Sequence, residues 1–183
     1  MQKVAFFLIV VVIFSFGAVL TGCGSIPPAE LLEASNNTAK VYFIMPSGVT
    51  VTGFGSLSVG NKFNLWNGDN FLSAIGGSQY LVFNFNAGSH LILAKGNDFN
   101  VASADLVAGK SYYIKVIILP GFSSPHVTLA LMDPNDPDLE KYLEKECKEI
   151  APQGKVSESM VAEAAKVVSE VRSNTRKIDL VIK

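Results

Sequence analysis

Between Ala39 and Met132 the chain is a succession of short apolar runs broken by glycine, asparagine and proline, with no long helical pattern between them. Lys40–Met45 is β-branched and aromatic and is stopped by Pro46. Lys62–Trp66 and Asn70–Ile75 flank Asn67-Gly68, a dipeptide that readily takes positive φ and so favours a tight hairpin. Within Tyr80–Phe85 the residues Leu81, Phe83 and Phe85 alternate onto one face. Ala87-Gly88 turns the chain into Ser89–Leu93, and Phe99–Leu106, Ser111–Leu119 and Val127–Leu131 continue the series. Strands this short, at this spacing, predict a mainly β fold, an antiparallel β-sandwich of immunoglobulin-like or transthyretin-like type over residues 39–132.

The pattern changes at Asp133. Asp and Pro in "DPNDPDLEKYLEKECKEI" are helix starters, and Leu139, Tyr142, Leu143, Cys147 and Ile150 follow on one helical face. Pro152 and Gly154 end that segment. A second helix is expected from about Val156 to Asn174, with Val156, Met160, Ala164, Val167, Val168 and Val171 as its stripe. The expectation for residues 133–183 is therefore a helical pair, followed by a weakly alternating Ile178–Ile182 that suits an edge strand.

The other end of the chain sets its location. Val4–Leu20 is an uncharged apolar run of 17 residues behind Lys3, short for a membrane span and laid out like a secretory signal. It ends in Leu20-Thr21-Gly22-Cys23, which resembles the lipobox of bacterial lipoproteins. In that family the cysteine thiol is diacylated, the signal is cut before the cysteine, and the new amino terminus is acylated. The resemblance implies a signal peptide over residues 1–22, cleavage between Gly22 and Cys23, and a membrane anchor of acyl chains on Cys23. Two or more chains anchor stably where one does not. Residues 23–38, with Pro27-Pro28, then read as a lipid-anchored tether. Gly24 follows the cysteine where an aspartate would imply inner-membrane retention, so the expected location is the outer membrane, facing the periplasm.

Three stretches of the strand region carry a further resemblance. "VYFIMP", "GSQYLVFNFNAGSH" and "LVAGKSYYIKV" place Pro46, then Gly77, Ser78 and Tyr80, then Gly88 and His90, then Ala108, Gly109, Lys110, Tyr112 and Tyr113 in a recognisable order. Over residues 39–118 this resembles the bacterial lipoprotein family known as domain of unknown function 2846. That family often has arginine where Met45 stands and proline where Ala87 stands. The resemblance implies a β-sandwich on a lipid anchor, with no established activity or catalytic residues.

Composition narrows the partners. Without Lys3 the formal charge moves from −1 to −2, too mild to indicate nucleic acid. With Cys23 acylated, Cys147 is the remaining thiol, so no internal disulfide is expected.

The residues of chemically capable type each have a simpler reading. His90 and His126 read as structural or solvent-facing histidines, and no metal or cofactor is expected. Ser124 lies near His126 but in no G-x-S-x-G elbow. "GFGSLSVG" at 53–60 lacks a phosphate-binding lysine and reads as a hairpin. Asp133 to Asp138 lacks the glycine and glutamate of a calcium loop, and helix capping by Asp133 or Asp136 explains it better. Cys147, beside Glu144 and Glu146, reads as a buried structural thiol. Of Tyr112 and Tyr113, opposite strand faces put one in the core. The sequence thus supports a non-catalytic, lipid-anchored binding or scaffolding module with a possible envelope protein partner. The alternative is a small-ligand carrier or enzyme whose site assembles only in the fold. No motif in the sequence assigns ligand-binding residues.

Overall fold

The computed structural model describes residues 25–26, 36–47, 62–119 and 126–182. In chain order the elements are β1 (Ser25–Ile26), β2 (Thr38–Met45), β3 (Phe63–Asn67), β4 (Asn70–Ile75), β5 (Gln79–Asn86), β6 (Gly88–Lys95), β7 (Phe99–Leu106), β8 (Ser111–Leu119) and β9 (His126–Met132). Helix α1 (Pro137–Lys141) continues into a π-helical turn, Tyr142–Glu146. Then come β10 (Lys148–Glu149), β11 (Val156–Ser157), α2 (Glu158–Arg172) and β12 (Leu180–Ile182).

Two five-stranded sheets pack face to face, ordered β10-β5-β2-β8-β9 and β12-β7-β6-β3-β4. The fold is the mainly β sandwich that the strand series predicts. Most pairings are antiparallel, but β2–β8, β10–β5 and β12–β7 are parallel. The β2–β8 pair is set by the Ala108–Lys110 turn. Gly109 sits at φ +77°, its amide donates to Thr38 O at 2.9 Å, and Lys40 N donates to Lys110 O at 2.9 Å. The turn thereby lays β8 alongside β2.

Alternation separates the two faces of each sheet. Val41, Phe43 and Met45 of β2, Leu81, Phe83 and Phe85 of β5, and Tyr112, Ile114, Val116 and Ile118 of β8 point into the central core. They meet Leu65, Ile92, Ala94, Ala102 and Ala104 of the second sheet there. The face predicted for Leu81, Phe83 and Phe85 is the buried one.

The C-terminal helices lie on opposite outer faces of this sandwich. Helix α2 is capped by Ser157, whose Oγ accepts from Met160 N, and it buries Ala164, Val167, Val168 and Val171. That stripe packs on Trp66, Phe71, Leu93, Phe99 and Val101 of the second sheet. Helix α1 is capped by Asp136, with Pro137 at its first position. With the π turn it places Leu139, Tyr142 and Cys147 on Ile44 and Met132 of the first sheet.

Two boundaries differ from expectation. The first helix stops at Glu146 instead of running on toward Ile150. Cys147 N bonds to Tyr142 O at 2.8 Å, and then Lys148 N and Ile150 N donate to Ser78 O and Tyr80 O, each at 3.0 Å. The open edge of β5 thus captures a segment of high helix propensity. The β3–β4 hairpin turns on Gly68-Asp69, one residue beyond Asn67-Gly68, because Asn67 pairs with Asn70. A register shift at Leu65–Trp66 leaves Leu72 as the extra residue, and Gly68 alone takes the positive φ, at +62°.

Candidate functional site

A polar groove runs along one end of the second sheet, between the β3–β4 hairpin and the last turn of α2. It encloses about 440 Å³ and is lined by Asn67, Gly68, Asp69, Asn70, Ser89, His90, Leu91, Ser103, Val171 and Arg172. The hairpin is fixed by Gly68 N donating to Leu91 O at 2.6 Å. Buried Val171 seats the end of α2 and so places Arg172, the last helical residue, on the groove wall.

His90 stands in this groove at the start of β6, and both ring nitrogens are engaged. Nδ1 lies 3.1 Å from Asn67 Oδ1, and Nε2 lies 2.8 Å from Asn86 O, where it donates. The ring stacks on Phe85 at 5.4 Å. This is the environment of a structural histidine holding β6 to the hairpin and to β5. Ser89 Oγ donates to Asp105 Oδ1 at 2.6 Å. Arg172 and Asp69 have no ion-pair partner among the described residues. The groove therefore offers one free guanidinium, one free carboxylate and several amide and hydroxyl groups, a lining suited to binding a polar surface or ligand.

A second cluster lies on the outer face of the first sheet. Tyr42 and Tyr113 stack at 4.8 Å, and Tyr80 OH donates to Glu149 Oε2 at 3.1 Å. Lys115 Nζ donates to Tyr142 OH at 2.9 Å. Burial, then the neighbouring Tyr113 and Glu149, push the Tyr42 phenol above its ordinary value. Burial and the hydrogen bond to Glu149 do the same for Tyr80. Tyr112 takes the opposite face and is core, its OH accepting from Val107 N at 3.0 Å.

Cys147 is buried at the edge of this cluster, with Sγ 3.7 Å from Met45 O. Burial, and then Glu146, push its thiol from 9.0 up to about 11, against a smaller opposing pull from Lys115. At neutral pH it is a protonated, shielded thiol, as its sequence neighbours predict.

His126 is exposed at the start of β9, in the other sheet from His90. Among the described residues no group of three His, Cys, Asp or Glu side chains could hold a metal, and no helix is long and apolar enough to cross a membrane. Asp133 and Asp136 serve local turns. Asp133 Oδ1 accepts from Asn135 N at 2.8 Å, and Asp136 Oδ1 from Asp138 N at 2.9 Å. Gly22, Cys23, Ser124 and the glycine-rich 53–60 stretch lie outside the described residues.

The structure thus adds Asp69, Asn70, Ser103 and Arg172 to His90 as one surface. No sequence spacing links them. The available signal was the hairpin at Asn67-Gly68 together with a helix ending in arginine. Compared with family models, curated proteins and solved structures, the chain finds no match.

Proposed function

We propose that this chain is a lipid-anchored bacterial envelope protein whose β-sandwich, of the domain of unknown function 2846 kind, binds or scaffolds another envelope component. The observation that carries the anchor is Leu20-Thr21-Gly22-Cys23 closing an apolar run of signal-peptide layout. The thiol of Cys23 takes the lipid, and the mature protein sits in the outer membrane facing the periplasm. The groove between the β3–β4 hairpin and Arg172 is its binding surface. That role draws support from its shallow polar lining and from His90, whose ring nitrogens are already held by Asn67 and Asn86. A non-catalytic role also accords with the raised thiol of Cys147. One observation favours the second reading, a small-ligand carrier or enzyme: the fold gathers Asp69, His90 and Arg172 from three separate elements onto one groove.

Metabolic labelling with a radioactive fatty acid tests the anchor. The unaltered chain should incorporate label and migrate as the processed form, and Cys23→Ser should do neither. Equal incorporation into the Ser variant would sink the anchor. Pull-down from detergent-solubilised envelope then tests for the partner.

A further inference from the structure

Ser25 and Ile26 do not hang free of the domain. Ser25 pairs with Ser157 and Ile26 with Val156 in a short antiparallel ladder. The partner strand belongs to the core, because Val156 is buried with Trp66, Phe71 and Val168 beneath α2. Ser157 is the residue that caps α2. The same corner is tied to β4: Ala74 N donates to Gln153 O at 2.8 Å, and Lys62 Nζ donates to Gln153 Oε1 at 3.3 Å.

Cys23 precedes Ser25 by two residues, and two extended residues reach at most about 7 Å. Any lipid on Cys23 must therefore emerge beside the first turn of α2. We propose that the corner formed by Lys62, Gln153, Lys155 and Ser157 is the membrane-facing side of the domain. The groove at the far end of α2 then faces away from the bilayer. With 15 residues, α2 separates its two ends by roughly 22 Å. The inference rests on the lipid-anchor reading and extends it to an orientation. The exposed charges at the corner, Lys62, Lys155 and Glu158, leave a net charge of only +1, so the contact is with a lipid surface held by the anchor and does not need anionic headgroups. An outer-membrane protein so oriented presents its polar groove to soluble or cell-wall components and not to lipid.

The test uses the full-length lipidated protein reconstituted into phosphatidylethanolamine/phosphatidylglycerol vesicles. One engineered thiol, Lys155→Cys or Arg172→Cys, carries a fluorophore, and the quencher is a lipid with a spin-labelled headgroup. Cys147 is buried and protonated, so it stays unlabelled near neutral pH. The label at position 155 should be quenched several-fold more strongly than the label at 172. Equal quenching, or stronger quenching at 172, overturns the orientation. The double variant Ser25→Pro, Ile26→Pro removes every amide that β1 can donate to the ladder and should bring the two positions toward equality. A difference that persists in that variant overturns the ladder as its cause. Mass spectrometry of the Cys23 peptide from the same preparation separates the two levels. A peptide without acyl mass refutes the anchor itself, whereas an acylated peptide with equal quenching refutes only the orientation.

Discussion

The two outer faces of the sandwich are covered in different ways. Under α2 the contacts are almost all aliphatic and aromatic carbon: Val167, Val168 and Val171 on Trp66, Leu93, Phe99 and Val101. Its margins are pinned by polar links. Lys95 meets Glu163 at 2.7 Å, Arg176 donates to Phe99 O at 2.7 Å, and Asp179 accepts from Val101 N at 2.8 Å. On the opposite face a single turn of α1 and a π turn cover Ile44 and Met132, and half-buried tyrosines fill the rest, Tyr42 stacked on Tyr113 and Tyr80 hydrogen-bonded to Glu149. One face is a second core. The other is a mixed layer in which burial favours the neutral forms of Cys147, Tyr42 and Tyr80. The same sheet scaffold supports both because strand alternation offers an outward row on each sheet. What differs is how much helix the sequence provides to cover it.

The largest expected effect comes from breaking the α2 face. Placing Asp at both Val167 and Val171 drives two carboxylates into an apolar cluster. Together they should cost several kcal/mol, on the order of the whole stability margin of a domain this size. Thermal melting followed by circular dichroism should show a sharp fall or no folded state. Melting close to that of the unaltered chain would mean that α2 is not core and that the contrast between the faces is wrong.

The second prediction concerns pH and is confined to the tyrosine face. The Cys147, Tyr42 and Tyr80 groups all titrate above their ordinary values because burial disfavours their anions. The folded state therefore prefers their neutral forms. That contribution is complete below pH 9 and is lost as pH rises, for Cys147 between 9.0 and about 11. Amide exchange near α1 and β10 should accelerate on moving from pH 8 to pH 10.5, after correction for intrinsic base catalysis, while α2 stays protected. Cys147→Ala should weaken this dependence. Uniform loss of protection on both faces would contradict the assignment.

How far such contrasts are legible in sequence depends on the range of the interactions behind them. The strands are legible because alternation is local: Leu81, Phe83 and Phe85 declare their face within five residues. The cap at Asp136-Pro137 and the stripe of α2 are local in the same sense. The end of α1 is not, since the competitor for Lys148 and Ile150 is the edge of β5, some seventy positions earlier. Neither is the groove. Asn67 and Arg172 are 105 positions apart, and they meet only because α2 lies across the second sheet with its C-terminal end toward the hairpin. His90 illustrates both cases. Its place on a strand is readable, whereas its partners Asn67 and Asn86 become apparent only when β6 pairs with β3 and turns back on β5.

The smallest effect on stability is expected at the groove itself, which makes it the cleanest test of function. Arg172 is exposed at the end of α2 and has no ion-pair partner among the described residues. Arg172→Ala removes a guanidinium with no ion pair among the described residues, so stability should change by no more than about 0.5 kcal/mol. If the groove is the binding surface, recovery of a partner from solubilised envelope should fall markedly in this variant, with the melting temperature unchanged. Asp69→Asn should produce a smaller loss, because it removes a charge and keeps the hydrogen-bonding shape. Undiminished partner recovery in both variants would move the binding surface elsewhere, with the half-buried tyrosines of the opposite face as the next place to look. A drop in melting temperature with Arg172→Ala would show instead that the last turn of α2 is held by its arginine, and the sealed face would then owe part of its stability to a polar contact.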